Sequence, residues 1–306
     1  MIYELKNEDL RIRVKSMGGE LTGIRSADGM EFLWQGDAAY WKGQSPHLFP
    51  FVGRLVDKEH RAGGKIYRLP IHGFLPETEM NFVEISDARL VLRVEDSQKT
   101  RAVFPYAFLF DLIYVLEEKT LSITFRVKNT GGDYLHFGIG GHPGFNVPLA
   151  GGLAFTDYCL EFTSGGCSKS MYAEEYICAE RILFSDAGFM TGKTEPFPLL
   201  DGTKLPLSHS LFDRDAVVLQ NTGGCVTLRS DKSPAFVRVE YPGMPYIGFW
   251  HKPHSDAPYV CIEPWVSLPA REGETTCFEE REDLIHLRPG MTYENTWKIT
   301  CCDSEK

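Results

Sequence analysis

No stretch of the chain approaches 18 uninterrupted apolar residues, so no helix of bilayer length is expected. Eight cysteines are present, but none forms a C-x-x-C pair. That removes the common cysteine–zinc sites and leaves no disulfide framework. There is no G-x-S-x-G, no P-loop and no dinucleotide fingerprint, so three widespread catalytic and nucleotide-binding devices are missing. Positive charge is in deficit: 32 Lys and Arg stand against 42 Asp and Glu, a formal net charge of −10. A nucleic-acid partner needs a basic footprint and is therefore not expected. The start, MIYELKNEDLRIRV, lacks the apolar core of a signal peptide, which points to a soluble, cytoplasmic protein with reduced thiols. Cys301 and Cys302, adjacent in the tail, read as surface thiols. No linker or composition shift interrupts the 306 residues, so a single domain, 1–306, is expected.

What is present is a succession of short strands. Turn signals recur as ADG at 27–29, AGG at 62–64, TGG at 130–132, AGG at 150–152, TGG at 222–224 and RPG at 288–290. Between them apolar and polar residues alternate. In LSITFRVK, 121–128, Leu121, Ile123, Phe125 and Val127 take one face and polar residues the other; 10–14, 89–94 and 236–241 behave alike. Helical patterns are few and short, the best being 172–183 and 208–213. An all-β, mostly antiparallel sandwich follows. Between roughly 40 and 80 prolines and glycines break the alternation, and a long irregular segment in a β protein commonly carries a site.

Polar islands punctuate the apolar runs. GGHPGFN, 140–146, carries His142 among residues that permit a sharp turn, with Phe145 as a flat apolar surface and Asn146 as donor and acceptor. CIEPW, 261–265, ends an apolar strand on Glu263, and alternation puts Tyr259, Cys261 and Glu263 on one face. His72 lies in RLPIHGF and Arg54 in PFVGRL; a guanidinium in apolar company wants acceptors such as sugar hydroxyls or a carboxylate. FDRDAVVL offers Asp213 and Asp215 as hydroxyl acceptors. Each has an ordinary structural alternative: a hydrogen-bonded turn histidine, an edge-strand glutamate, a buried ion pair, a helix cap. Trp34, Trp41, Trp250 and Trp265 are core residues by default and sugar-stacking surfaces otherwise. His251 and His254 have loose metal-ligand spacing without a third ligand, so no metal is expected.

Taken in order, HLFPFVGRL, IHGF, GGHPGFN, FDRDAVVL and CIEPW resemble the aldose 1-epimerase (galactose mutarotase) family, and its LacX-like branch most. The resemblance runs from GGEL at 18–21 to the final ENTWKI strand. It implies a large β-supersandwich holding a sugar on a concave face. It implies His142 as general acid, Glu263 as general base, and Arg54, His72 and an aspartate as sugar-binding residues. That aspartate is taken as Asp215, with Asp213 the alternative. The galactose enzymes of the family usually carry an asparagine before the acid histidine and an aromatic just after it; here Gly141 precedes His142 and Pro143-Gly144-Phe145 follow.

The expected activity is interconversion of the α and β anomers of an aldohexose, which requires one proton to leave the C1 hydroxyl and another to reach the ring oxygen. It needs no metal or organic cofactor. The scheme needs His142 charged and Glu263 ionised together, and a carboxylate neighbour is expected to raise the histidine. The partner is a small sugar, or a sugar phosphate held by Arg54, with no nucleic acid and no membrane, and the chain acts as a monomer or homodimer. A non-catalytic sugar-binding protein on the same fold and, behind it, a glycoside hydrolase are the rival readings.

Overall fold

Alternating side chains become stacked antiparallel sheets in the computed structural model, which describes residues 1–164 and 177–304. A nine-stranded sheet runs in the order Lys204–Pro206, Cys159–Ser164, Gly224–Ser230, Ser233–Glu240, Thr292–Cys302, Thr120–Asn129, Phe108–Glu117, Arg89–Glu95, Asn81–Ile85. Its central strand Thr120–Asn129 buries Leu121, Ile123, Phe125 and Val127 completely, as the alternation predicts. Arg89–Glu95 departs from strict alternation, with Leu90, Val91 and Leu92 all buried. A second large sheet contains Met190–Pro196, Glu180–Phe184, Val217–Gln220, Tyr246–Trp250, Tyr259–Trp265, Gly140–Gly141 and His47–Leu48 in that order. Gly144–Asn146 also pairs with Tyr259–Trp265. This is the all-β, mostly antiparallel sandwich that the sequence implies.

The middle of the second sheet is covered on both faces, while its edge strand Met190–Pro196 is largely exposed. Every residue from Tyr259 to Trp265 is buried. Val260 and Ile262 point into the main core with Ile247, Phe249, Val217 and Leu219. Tyr259 and Cys261 pack instead with Trp34, and Trp265 packs with Val218 and Leu268, on the opposite side. A strand with two buried faces reads as a continuous apolar run, so a glutamate within it has no route to bulk water along the pleat.

Several sequence expectations need correction. Residues 180–183 of the expected helix belong to the strand Glu180–Phe184, held between two neighbours by ladder hydrogen bonds; residues 172–176 lie outside the described residues. Within 208–213 a short 3₁₀ turn, His209–Phe212, forms. The segment near 40–80 is irregular but includes the short strands Glu59–Ala62 and Lys65–Arg68. Cys301 is not a surface thiol. It is 1% exposed within the core, because the last strand, Thr292–Cys302, is paired on both sides. Phe145 is wholly buried and the Asn146 amide donates to the Glu31 and Leu33 carbonyls, so both are scaffold.

Close backbone packing sets the entry to His142. A Cβ on Gly141 would lie 2.6 Å from Cζ2 of Trp297, a fully buried indole. Gly141→Ala is expected to lower stability by about 1–3 kcal/mol through overpacking. Denaturant unfolding checks this, and a variant as stable as the parent would show that Trp297 yields freely.

Candidate active site

Four strands and two loops bring the distant islands together. His142 follows the strand Gly140–Gly141, which pairs with His47–Leu48 on one side and, through Gly140, with Trp265 on the other. Its backbone N–H donates to the Pro46 carbonyl at 3.0 Å, and the next carbonyl, of Pro143, accepts from Ile262 N–H at 3.0 Å. The loop is thereby fixed against the strand that carries Glu263. Opposite Glu263 in the ladder stands Gly248, whose missing side chain leaves the space beside the carboxylate; a Cβ there would lie 3.0 Å from the Trp265 ring. Behind His142, the buried His47 Nε2 meets Tyr114 Oη, which donates to the Gly19 carbonyl at 2.6 Å. Burial pushes His47 down to about 3, so it is a neutral structural group.

The loop that carries His72 is equally constrained. His72 has φ 66° and Gly73 φ 78°. A Cβ on Gly73 would lie 2.2 Å from the Phe49 carbonyl oxygen, so only glycine fits. Asp215 also has a positive φ, 75°. Two non-glycine residues in this region cost of order 1–2 kcal/mol each, and both border the same cavity.

That cavity has a volume of about 300 Å³. Arg54, His72, His142, Asp215 and Glu263 all border it. Asp213 does not; it is engaged with His254, whose Nδ1 lies 3.3 Å from its carboxylate. Trp41, Trp250 and Trp265 supply its aromatic walls, whereas Trp34 stacks on Tyr259 away from it. Arg214 also borders the cavity and was not singled out in the sequence; only its place between the two aspartates of FDRDAVVL marked it. A larger groove of about 590 Å³ lies beyond Leu268 and Ile182. Its Arg281 is already engaged with Asp283 and with the Leu268 and Pro269 carbonyls, and no histidine borders it, so the two histidines and the glutamate expected from the sequence meet at the smaller cavity.

Arg54 departs from its expected setting. Its side chain is 47% exposed at the rim, donating to the Ala187 carbonyl at 3.1 Å and lying 3.6 Å from the Asp215 carboxylate. An ion pair this open contributes about 0–1 kcal/mol to stability. The reason is the Gly53 turn, φ 73°, which carries Arg54 out of the core while Phe51, Val52 and Leu55 remain in it.

At the floor, His142 Nε2 lies 3.2 Å from Glu263 Oε2, and both side chains are buried. Burial, followed by repulsion from His72, holds His142 well below the ordinary histidine value. Burial, followed by the charge of Asp215, pushes Glu263 well above the usual carboxylate range, with the Trp265 indole N–H opposing. That N–H makes no hydrogen bond of ordinary geometry, so its opposition is weak. The carboxylate therefore does not raise His142 as the sequence suggested, because desolvation outweighs the attraction at this depth. Both shifts favour neutral groups, and together they describe a pair that holds one proton. Carboxyl O–H beside imidazole and carboxylate beside imidazolium are two positions of that same proton. Trp41 lies with its ring centroid 4.9 Å from that of His142, tilted by 31°, where its π-face favours the imidazolium position.

His72 is a different kind of group. Its Nδ1 accepts the Gly53 N–H at 3.2 Å, so its own proton resides on Nε2. Burial and the Arg54 charge push it down to about 4, leaving a neutral N–H donor at pH 7. Its ring meets that of His142 edge-on at 5.4 Å between centroids. His251 and His254 hold no common ligand: His251 is engaged with His209 and the Lys252 carbonyl, and His254 with Asp213.

The aldose 1-epimerase family profile matches residues 1–300. Protein LacX of Lactococcus lactis subsp. lactis is 31% identical over 313 aligned positions, covering 98% of this chain and 99% of that protein. A galactose mutarotase related enzyme from Lactobacillus acidophilus superposes with a TM-score of 0.90 at 28% identity, covering 100% of this chain and 99% of its own. A galactose mutarotase-like protein from Lactobacillus casei gives a TM-score of 0.89 at 26% identity, covering 99% of this chain and 100% of its own. The chain belongs to the aldose 1-epimerase family.

Glu263→Gln is expected to stabilise the folded chain in a pH-dependent way. Below the ordinary carboxylate value Glu263 is protonated folded or unfolded and contributes no difference. As pH rises, the unfolded chain releases this proton while the folded chain retains it, so the parent loses about 1.4 kcal/mol per pH unit across that window. The melting temperature of the variant relative to the parent should therefore rise as pH is raised above the ordinary carboxylate value. A difference independent of pH would show that Glu263 titrates at its ordinary value.

Proposed function

We propose that this member of the aldose 1-epimerase family is an isomerase that interconverts the α and β anomers of an aldohexose by ring opening and closure, in carbohydrate metabolism. The observation that carries this reading is the His142–Glu263 contact of 3.2 Å at the floor of a sugar-sized cavity. A volume of about 300 Å³ is at the lower end of small-molecule sites and suits a single pyranose ring.

In the proposed cycle, Glu263 as carboxylate takes the proton from the C1 hydroxyl. The C1–O1 bond becomes a carbonyl, the C1–O5 bond breaks, and His142 as imidazolium delivers its proton to O5. The pair finishes with its proton on the carboxyl and a neutral imidazole, which is the other position of the same single proton. Rotation about C1–C2 presents the opposite aldehyde face, and closure returns the proton to His142. The proton content of the pair changes only in location through the whole cycle. His72 donates its Nε2–H to a ring or hydroxyl oxygen. Arg54 and Asp215 at the rim bind hydroxyls as donor and acceptor, and Arg54 with Arg214 offers the charge to hold a phosphate if the sugar carries one. The ring opens and closes with only proton transfers asked of the protein, which calls for no cofactor. A hydrolytic reading fits less well, since it needs two carboxylates free to flank one bond, whereas Asp215 faces Arg54 and Glu263 faces His142.

NMR exchange between anomers, run over a panel of hexoses and hexose 6-phosphates, tests the activity and identifies the sugar. Binding without acceleration would make the chain a sugar-binding protein instead. With the preferred sugar, Glu263→Gln should lose about 10²–10⁴-fold in rate while retaining affinity. His142→Ala should likewise lose rate more than affinity. Parental turnover in either variant removes that residue from its role.

A further inference from the structure

Behind the catalytic pair stands a group that the proton chemistry does not use. Cys261 is two residues before Glu263 on the same strand and face, and is fully buried. It does not border the cavity, although His142 and Glu263 do. One donor atom from each of Cys261, His142 and Glu263 lies within 4.8 Å of the others. A point equidistant from three such atoms is at most about 2.8 Å from each, so a contraction of about 0.5–0.8 Å reaches the 2.0–2.3 Å of zinc-type bonds. His142 Nδ1 is buried with no hydrogen-bond partner, so the ring is not tied down by a second contact.

We propose that Cys261, His142 and Glu263 form a binding site for a thiophilic divalent cation of the zinc class at the floor of the cavity, where the ion occupies the groups that would otherwise serve the sugar. The donor set is one sulfur, one nitrogen and one oxygen, which suits zinc or cadmium and not magnesium or calcium. Charge also balances. On entry of the ion the Cys261 thiol proton and the single proton of the pair leave for solvent. A thiolate and a carboxylate then face two positive charges across a neutral imidazole. All three donors are buried, and an ion supplies the counter-charge that a buried thiolate and carboxylate would otherwise lack. Water from the cavity that His142 and Glu263 border would fill a fourth position. That the ion and sugar exclude each other rests on the proposed function; that the ion binds does not.

The test uses the full chain and two ions. Cd²⁺ titration should develop a thiolate-to-cadmium absorption band that saturates at one ion per chain, and Zn²⁺ should bind with the same stoichiometry by calorimetry. Cys261→Ser should lose the band and weaken Zn²⁺ binding at least about tenfold, with the other seven cysteines still present as the internal control. If that variant fails to melt cooperatively, His142→Gln should give the same loss of affinity by removing the nitrogen donor. A parent chain without the band, or a variant that retains band and affinity, overturns the site. Zn²⁺ should also slow anomer exchange in the parent. Stoichiometric binding to a chain with no exchange activity would sink the isomerase reading and leave the metal site standing.

Discussion

A single proton confined between two buried groups is the constraint on which the site depends. Neither His142 nor Glu263 tolerates its charge alone at this depth, and among the described residues each is the only ionisable group the other touches within hydrogen-bond range. The usual result of burying such a pair is a desolvation cost that their attraction does not fully recover. In the proposed cycle that cost has a chemical use. The pair accepts a proton at one end as it gives one at the other, so it supports a reaction in which a proton departs from one oxygen and arrives at a neighbouring one.

The sheet supplies the confinement. Tyr259–Trp265 lies in the middle of its sheet with both faces covered, and Val260 and Ile262 anchor one face in the main core. The opposite face is a row of Tyr259, Cys261, Glu263 and Trp265, which explains how one strand delivers an acid, a thiol and two aromatic rings to one place. Gly141 against Trp297, and His47 against Tyr114, seat the approach to His142 on the nine-stranded sheet, and Ile262 N–H, donating to the Pro143 carbonyl, ties the loop to that row. His72 and Asp215 hold backbone conformations that non-glycine residues seldom adopt, and such conformations persist only where the surrounding structure enforces them.

Much of this was legible in the sequence, and the reasons it was differ by level. Period-two alternation in 121–128 reports directly on which side chains meet the core, so the all-β architecture could be read from it. Alternation also put Cys261 and Glu263 on one face, and the structure keeps them there. What sequence spacing does not encode is depth. Arg54 sits among apolar letters yet turns outward at Gly53, and Cys301 sits in a terminal segment yet lies in the core between two strands. The 172–183 pattern was short enough to suit either helix or strand, and over 180–183 ladder pairing decided it. Depth also sets the sign of the His142 shift: the attraction to a carboxylate can be inferred from chemistry, but its defeat by desolvation depends on how completely Trp41, Trp265 and the two covered faces exclude water.

The pH dependence of anomer exchange by the parent chain tests the one-proton pair most directly. Independent groups would give a narrow optimum bounded by inflections near the ordinary glutamate and histidine values, about 4.3 and 6.5. A coupled pair with His142 held down and Glu263 held up keeps its proton through both values, so the account predicts a rate that is flat across them and falls only outside. A rate that drops through about pH 6.5 as a lone histidine discharges would contradict it.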